Sequence, residues 1–401
     1  MNTLFEIISR ETAERGVLPF ARFMELALYC PVHGYYEKEK DNLGRHGDFY
    51  TSVGVGELFG QLLAFQFAGW LETLNPQSST LNLVEAGAHG GQLARDILDW
   101  LQLKRPKLFE QIEYRIIEPS ARRQEWQKET LKNFAPRVRW FTGLEHASRV
   151  AHHASLNGII FSNELLDALP VHRLGWDAKD KKWFEWGVAV DGGKFVWARC
   201  PDTLSVNHPG APASRRPVGS QISELAGETP ALPGIVPDGF DPSSSLHLPS
   251  SLLAALPDGY TVDISPAAQN WWREAATVLG RGKLLTIDYG FTADELLLPG
   301  RMHGTLRAYN RHHVSGDLLA NPGKQDLTAH VNFSDLQAAG ESAGLRTEMF
   351  STQSQFLTRI LEGAITDNSF RAWTSAQARR FQTLTHPEHL GRAFRVLIQS
   401  R

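Results

Sequence analysis

The chain has 401 residues, of which 42% are hydrophobic and 21% charged, and its formal net charge is −3 at pH 7. This composition is typical of a globular protein, and the lack of a basic excess argues against nucleic acid as its main partner. Because no apolar run reaches the roughly 18 residues of a membrane helix, we expect no membrane insertion.

The two cysteines and the first residues of the chain give information about the cellular compartment of the protein. Cys30 and Cys200 are far apart and lie outside any metal-ligand spacing, so we expect neither a disulfide framework nor a metal site. Glu6, Glu11 and Glu14 argue against a transit peptide, because such peptides are poor in acids. The sequence therefore favours the bacterial cytoplasm over the mitochondrial matrix.

Residues 1–75 are predicted to form a helical cap that is interrupted by one long loop. A helix over 20–29 ends before Pro31, as expected for residues that precede a proline. Glycine and aromatic residues dominate the loop 34–56, and the apolar helical pattern resumes over 58–74.

From about residue 80 the sequence alternates between strands and helices. Short apolar runs predict strands at 81–84, 114–117, 138–141, 158–161 and 283–287. Helical patterns between such strands indicate a mostly parallel sheet with helices on both faces. The predicted fold class is therefore α/β.

The same patterns divide the rest of the chain into three parts. Residues 76–200 are predicted to form the first part of the core, and residues 258–401 the second part with C-terminal helical additions. Between them, residues 201–257 are rich in Pro, Ser and Gly and are interpreted as an insertion. Within the first part, residues 183–198 are predicted to form a two-stranded ribbon that turns at 191–193.

Two pairs of adjacent residues are interpreted as structural rather than as parts of a functional site. Trp271 and Trp272 lie on a predicted helix and are expected to pack in the core. Arg122 and Arg123 are expected to form a solvated helix face.

Acidic residues stand at the carboxyl ends of four predicted strands. They are Glu85, Glu118, Glu164 with its neighbour Asn163, and Asp288. In an open parallel sheet, ligands bind at this end of the strands. We therefore expect these side chains to line a ligand site.

The turn Glu85–Gly91 follows the first of these strands and is rich in glycine. Glycine lets the backbone turn sharply and approach a ligand, although a tight turn without a ligand is the alternative. Glu118, about one strand-helix-strand unit later, is suited to hold two ribose hydroxyls. The turn lacks the G-x-G-x-x-G spacing of dinucleotide sites, and carboxylates suit a cationic sulfonium. The pattern therefore favours S-adenosylmethionine (SAM) over NAD.

The segment Ser162–Pro170 carries a further set of polar residues, among them Asn163, Glu164 and Asp167. If a helical turn starts here, Glu164 and Asp167 lie three residues apart on one face. Two such carboxylates could clamp a guanidinium through charge-assisted hydrogen bonds. The alternative is an ordinary helix start, where the helix dipole favours acids.

Seven motifs together carry a family resemblance. They are Phe23–Tyr29, Gly34–Tyr36, Gly47–Ser52, Ser162–Val171, Ile287–Gly290, Gly304–Arg307 and Asp326–Phe333. In these motifs the chain resembles the MidA-like methyltransferases, which include a mitochondrial complex I assembly factor that dimethylates an arginine. The resemblance implies a class I methyltransferase fold, Rossmann-like, with a sheet of seven strands of which the last is antiparallel.

The resemblance also implies a cofactor, a substrate and a set of site residues. The cofactor would be SAM, and the substrate a protein, with a respiratory complex I subunit as a candidate. The implied cofactor-binding residues are Gly47, Asp48, Thr51, Ser52, Glu85, Gly87, Gly91 and Glu118. The implied catalytic residues are Asn163, Glu164, Asp167 and, on a neighbouring loop, His330.

Two segments depart from the family pattern, both on the expected cofactor side. His89 replaces the middle glycine of Glu-x-Gly-x-Gly-x-Gly, and Val53–Gly56 stands where Pro-Glu-Ile-Ser is usual. A side chain at His89 is expected either to crowd the cofactor or to require left-handed backbone angles, which cost about 1 kcal/mol or more outside glycine. The departures leave open a non-catalytic assembly or binding protein that kept the fold and lost SAM. A methyltransferase acting on a small molecule is a further alternative.

Overall fold

A computed structural model describes residues 3–38, 51–74, 80–149, 155–201, 250–310, 313–367, 370 and 373–401. The α-helices are Leu4–Arg15, Phe20–Tyr29, Leu58–Thr73, Gln92–Lys104, Pro106–Phe109, Ala121–Thr130, Leu144–Arg149, Ser250–Ala255, Pro266–Val278, Ala293–Leu296, Phe333–Ser342, Gln353–Thr366, Ser375–Thr385 and Leu390–Ala393. Short 3-10 helices are Tyr35–Glu37, Val53–Val55, Lys132–Phe134, Leu166–Ala168 and Pro299–Arg301. Most of the predicted insertion, residues 202–249, lies outside the described residues.

The strands are numbered in chain order. They are β1 (Leu18–Pro19), β2 (Leu81–Ala86), β3 (Ile112–Ile117), β4 (Val138–Phe141), β5 (Leu156–Asn163), β6 (His172–Asp177), β7 (Lys182–Asp191), β8 (Lys194–Arg199), β9 (Thr261–Ile264), β10 (Leu279–Phe291), β11 (Arg307–Asn310), β12 (His313–Ser315), β13 (Asp326–Thr328), β14 (Val331–Asn332), β15 (Arg346–Thr352) and β16 (Phe394–Ser400).

The chain folds into two compact units built from interleaved segments. The first unit comprises Met1–Glu39, Ala168–Ala268 and Thr292–His330. The second comprises Lys40–Asp167, Gln269–Phe291 and Val331–Arg401. These units cut across the segment boundaries predicted from the sequence, because β6 to β9 pair among themselves and with β1 rather than with the large sheet.

The second unit is built around one large sheet. Its strands run in the order β15-β16-β10-β5-β2-β3-β4, and β14 adds to β10. The neighbours from β10 to β4 pair in parallel, whereas β16 is antiparallel to both β10 and β15. The predicted α/β class and the methyltransferase sheet with its reversed last strand are confirmed.

Burial explains why the central strands have apolar sequences. Strands β2 and β5 are buried along almost their whole length, as expected where helices cover both faces of a parallel sheet. Trp271 and Trp272 are fully buried, so their predicted packing role is confirmed. Strand β10 was predicted to end before Asp288, but it continues to Phe291 because its last residues pair with β14.

The first unit holds two smaller sheets. One has the order β1-β7-β6-β9 with β8 on β7, and the other has the order β12-β11-β13. The predicted ribbon is confirmed as the β7–β8 hairpin, which turns at Gly192 and Gly193 with positive φ angles. Helices Leu4–Arg15 and Phe20–Tyr29 share an apolar core with β7 residue Val188. None of the described helices is both long and apolar enough to span a membrane.

Candidate active site

The turn after β2 has left-handed backbone at three positions. Gly87 and Gly91 have φ angles of +76° and +81°, and His89 between them has a φ of +43°. The φ of Gly87 favours glycine, and a Cβ atom there would lie 2.8 Å from the Leu165 Cδ1 atom, so the Leu165 side chain would have to move to make room. Of the two alternatives expected for His89, the structure shows the left-handed backbone angle.

A side chain from the helix Ala121–Thr130 holds His89. The Gln127 Nε2 atom donates to the His89 carbonyl oxygen at 2.9 Å, and the Trp140 Nε1 atom donates to Gln127 Oε1 at 3.0 Å. Because an indole N–H can only donate, the Trp140 bond fixes which end of the amide faces His89. Burial, assisted by the charge of Arg123, lowers the pKa of His89 to about 4, so its ring is neutral at physiological pH.

Glu85 lies near the end of β2 and is almost completely buried. The Tyr114 hydroxyl, on β3, donates to Glu85 Oε2 at 2.7 Å. Burial raises the pKa of Glu85 to about 7, and the hydrogen bond from Tyr114 opposes this rise. A cationic ligand beside Glu85 would favour its charged form.

Glu118 follows β3, and three donors hold its buried carboxylate. The Ser120 N–H donates to Oε1 at 2.9 Å, the Arg123 Nη2 atom lies 3.0 Å from Oε1, and Gln127 Nε2 donates to Oε2 at 3.2 Å. The predicted solvated face is wrong for Arg123, which is only 9% exposed because it pairs with this carboxylate. Gln127 therefore links the turn after β2 to the acid after β3.

The loop after β5 differs from its prediction. Glu164 has a φ of +52°, and the helical turn covers only Leu166–Ala168. The predicted common helix face for Glu164 and Asp167 is wrong, because Glu164 precedes the turn in a left-handed conformation. Such backbone angles in a residue with a side chain are strained, and they cluster at functional sites.

Asn163 and Glu164 are bonded through their side chains. Asn163 Nδ2 donates to Glu164 Oε1 at 3.1 Å, and this bond fixes the amide orientation because an ionised carboxylate can only accept. The Asn163 Oδ1 atom is then buried without a hydrogen-bond partner among the described residues. A buried acceptor of this kind costs free energy until a donor reaches it.

Thr51 and Ser52, which the resemblance places over the cofactor, are both buried. The Ser52 N–H donates to Glu164 Oε1 at 3.3 Å, and the Ser52 hydroxyl donates to Gln353 Oε1 at 3.0 Å. Ser52 therefore touches a carboxylate assigned by resemblance to the acceptor side. Gly47 and Asp48 lie outside the described residues.

Asp288, inside β10, is fully buried. Its Oδ2 atom accepts the backbone N–H groups of Leu165 at 3.2 Å and Leu166 at 2.8 Å, and its Oδ1 atom accepts that of Tyr289 at 2.9 Å. Burial raises the pKa of Asp288 to about 7, although these N–H groups oppose the rise. The carboxyl group thus ties the loop after β5 to β10.

His330 belongs to the first unit. Its backbone N–H donates to the Thr305 hydroxyl oxygen at 3.1 Å. Burial lowers the pKa of His330 to about 4, so its imidazole is neutral at physiological pH. No group of three or more His, Cys, Asp or Glu side chains within the described part of the chain is arranged to hold a metal ion.

In the second unit, hydrogen bonds bring Ser52, Asn163 and Glu164 together, and Gln127 connects the turn after β2 to Glu118. Sequence reasoning missed the residues that hold them, which are Tyr114, Gln127 and Gln353. In the sequence, these residues differ from their neighbours only in having a polar atom at the end of the side chain. That pattern does not indicate which distant partner the polar atom meets.

Comparisons with known proteins identify the family of this chain. A model of a family of S-adenosyl-L-methionine-dependent methyltransferases matches residues 62–351 of the chain. The crystal structure of a Burkholderia thailandensis protein bound to S-adenosyl-homocysteine (SAH) is 30% identical, covers 99% of this chain and 92% of its own, and superposes with a TM-score of 0.74.

Two curated relatives have similar coverage. The mitochondrial protein arginine methyltransferase NDUFAF7 homolog of Drosophila melanogaster is 27% identical in an alignment that covers 95% of this chain and 81% of the relative. The mitochondrial protein arginine methyltransferase NDUFAF7 of Danio rerio is 26% identical in an alignment that covers 94% of this chain and 82% of the relative.

Proposed function

Because this chain belongs to the family of S-adenosyl-L-methionine-dependent methyltransferases, we propose that it transfers the methyl group of SAM to an arginine side chain of a partner protein. The enzyme class and the cofactor follow from the family and from the SAH bound to the Burkholderia relative. The acceptor is the proposed part. It is supported by the names of the two curated relatives, both protein arginine methyltransferases.

Residues of the second unit fit such a cofactor. Gly87 and Gly91 allow the positive φ angles of the turn after β2, which lies at the end of the sheet where ligands bind. Glu118 offers a carboxylate in a fixed orientation, which suits the ribose hydroxyls of a nucleoside. Glu85 adds a buried carboxyl group, which in its charged form complements the positive charge of SAM.

The observation that carries the proposal is the contact between two loops. The Leu165 Cδ1 atom lies 2.8 Å from the position that a Cβ atom of Gly87 would take. The loop after β5 therefore packs directly on the turn after β2. A methyl donor held at that turn would lie beside Asn163 and Glu164.

The polar side chains of this loop suit a guanidinium acceptor. When bound, SAM supplies an electrophilic methyl group on its sulfonium. Glu164, which precedes the 3-10 turn, and Asp167, which lies within it, do not share a helix face, so each would hold the guanidinium from its own position through charge-assisted hydrogen bonds. Asn163 Oδ1 would accept one further N–H. A carboxylate would also take up the proton that the methylated nitrogen loses. Holding the acceptor nitrogen in line with the methyl group would supply much of the rate acceleration.

The resemblance to the MidA-like family extends the proposal to the partner. A subunit of respiratory complex I is the candidate acceptor, and methylation would then be a step in assembly of that complex. His330 is retained as a candidate catalytic residue on the same resemblance, and the bacterial cytoplasm as the proposed compartment.

Methyl-labelled SAM tests the acceptor directly. The protein is incubated with labelled SAM and purified complex I subunits, and the products are hydrolysed to amino acids for mass spectrometry. We expect labelled methylarginine. Glu164→Gln and Asp167→Asn should each lower turnover by about 100-fold or more and leave SAH affinity unchanged in calorimetry.

The matched control for these variants is Glu125→Gln, an exposed carboxylate that pairs with Lys128 on the surface of the second unit. It should retain full turnover. Full turnover in both loop variants would refute their assigned roles. Label found only in a small molecule would refute a protein acceptor.

A further inference from the structure

A fully buried carboxylate lies beneath the loop that follows β5. Asp288 has no exposed surface, and its oxygens accept the backbone N–H groups of Leu165, Leu166 and Tyr289. Strand pairing does not require this side chain, because the main chain of β10 pairs with β5 on one side and with β16 on the other.

The segment that Asp288 holds is strained. Burying a carboxylate costs free energy, which charge-assisted hydrogen bonds offset. The loop begins at Glu164, whose φ of +52° is unfavourable for a residue with a side chain. The Glu164 N–H donates to the carbonyl oxygen of Ile287 at 3.0 Å. Two consecutive residues of β10, Ile287 and Asp288, therefore fasten the loop at its strained point.

Asp288 and Leu165 also determine how closely the loop after β5 approaches the turn after β2, where the cofactor is expected. Leu165 donates its backbone N–H to Asp288, and its side chain fills the space above Gly87. A shift of the loop away from Asp288 would therefore move the loop relative to the turn after β2, whereas Gln127 holds the turn itself independently of Asp288.

We propose that Asp288 is a positioning residue for methyl transfer, which holds the Asn163–Asp167 loop so that its polar side chains face the acceptor beside the cofactor turn. The role of the loop rests on the proposed function, whereas the attachment of the loop to Asp288 is tested separately. Asp288 acts through Leu165 and Leu166 and does not itself touch the reactants. Its loss should therefore lower kcat and leave SAM binding intact.

The test replaces Asp288 by Asn, which keeps the size of the side chain but removes its charge and one acceptor. Hydrogen–deuterium exchange is measured on the full-length protein without ligand. The amides of Leu165 and Leu166 should exchange at least about tenfold faster, because each loses a hydrogen bond to a charged group. With SAM and an arginine acceptor, kcat should fall by about 100-fold, because small misplacements have effects of that size.

Two further measurements separate positioning from a general structural effect. The KM for SAM and the SAH affinity should stay unchanged in Asp288→Asn. Asp96→Asn is the matched control, because Asp96 is a buried carboxylate on the helix Gln92–Lys104 that accepts a bond from Gln92. It should keep both kcat and the exchange rates of the Leu165 and Leu166 amides.

An unchanged kcat in Asp288→Asn overturns the proposal, and so does a parallel rise in the KM for SAM. If the wild type methylates no arginine, the proposed function fails. The exchange rates of Leu165 and Leu166 then decide alone whether Asp288 holds the loop. If the Asn variant does not fold, Asp288→Ser repeats the same measurements with a smaller side chain.

Discussion

Replacing Glu85 by Gln should stabilise the ligand-free protein at alkaline pH. Glu85 is buried beside Tyr114, and burial raises its pKa from 4.5 to about 7. Since one pKa unit corresponds to about 1.4 kcal/mol, the ionised form costs about 3 kcal/mol more in the folded chain than in the unfolded chain. Gln has nearly the same size and can accept the Tyr114 hydrogen bond, but it has no charge to bury.

The direction of the pKa shift sets the pH dependence. Because the folded-state pKa lies above the unfolded value, Glu85 contributes stability that is fully present below pH 4.5 and is lost as the pH rises through about 7. The Gln variant does not lose this contribution. Its free energy of unfolding, relative to wild type, should therefore rise by about 3 kcal/mol between about pH 4 and pH 8.

Urea unfolding at a series of pH values, without ligand, measures this difference. Glu125→Gln, on the surface, should follow the wild-type curve. The same variant of Glu85 should bind SAM more weakly in calorimetry at alkaline pH, because it offers no negative charge to the sulfonium. A Glu85→Gln curve parallel to wild type across the whole pH range would refute the reasoning.

Two other substitutions test how the cofactor turn is held. Gln127→Leu should lower the free energy of unfolding by about 2–3 kcal/mol and weaken SAH binding. It removes one hydrogen-bond donor from Glu118 and leaves the Trp140 N–H without its acceptor. An unchanged SAH affinity in calorimetry would contradict the role of Gln127 in holding Glu118. His89→Val should be less stable than His89→Gly by about 1–2 kcal/mol in thermal unfolding, because a β-branched side chain disfavours a φ of +43°. Equal stabilities would show that this angle carries no strain.

The parts of the fold that depend on local patterns could be predicted from the sequence. Strand β4 has the predicted bounds, 138–141, and helix Phe20–Tyr29 ends before Pro31 as expected. Both follow from properties that neighbouring residues share, namely an apolar run and the constraint that a proline places on the residue before it.

The parts that depend on distant partners could not be predicted. Arg123 was predicted to lie on a solvated helix face, but it is buried because it forms an ion pair with Glu118, which follows β3. Asp288 was identified as an acid near a strand end, yet its role depends on the backbone of Leu165 and Leu166, more than 100 residues earlier in the chain. A hydrogen-bond partner of this kind leaves no periodic signal in the sequence.

The left-handed angle at Glu164 is a further case. A glycine at such a position would have indicated the turn, whereas a glutamate favoured the prediction of a helix start. The contacts of Ser52 and Asp288 stabilise this conformation from outside the loop.

A crystal structure of this protein grown with saturating SAH measures the central claim most directly. We expect the ribose hydroxyls within hydrogen-bonding distance of the Glu118 carboxylate and the sulfur atom beside the Asn163–Asp167 loop. SAH bound at another place, or density for SAH missing from this one, would contradict the account.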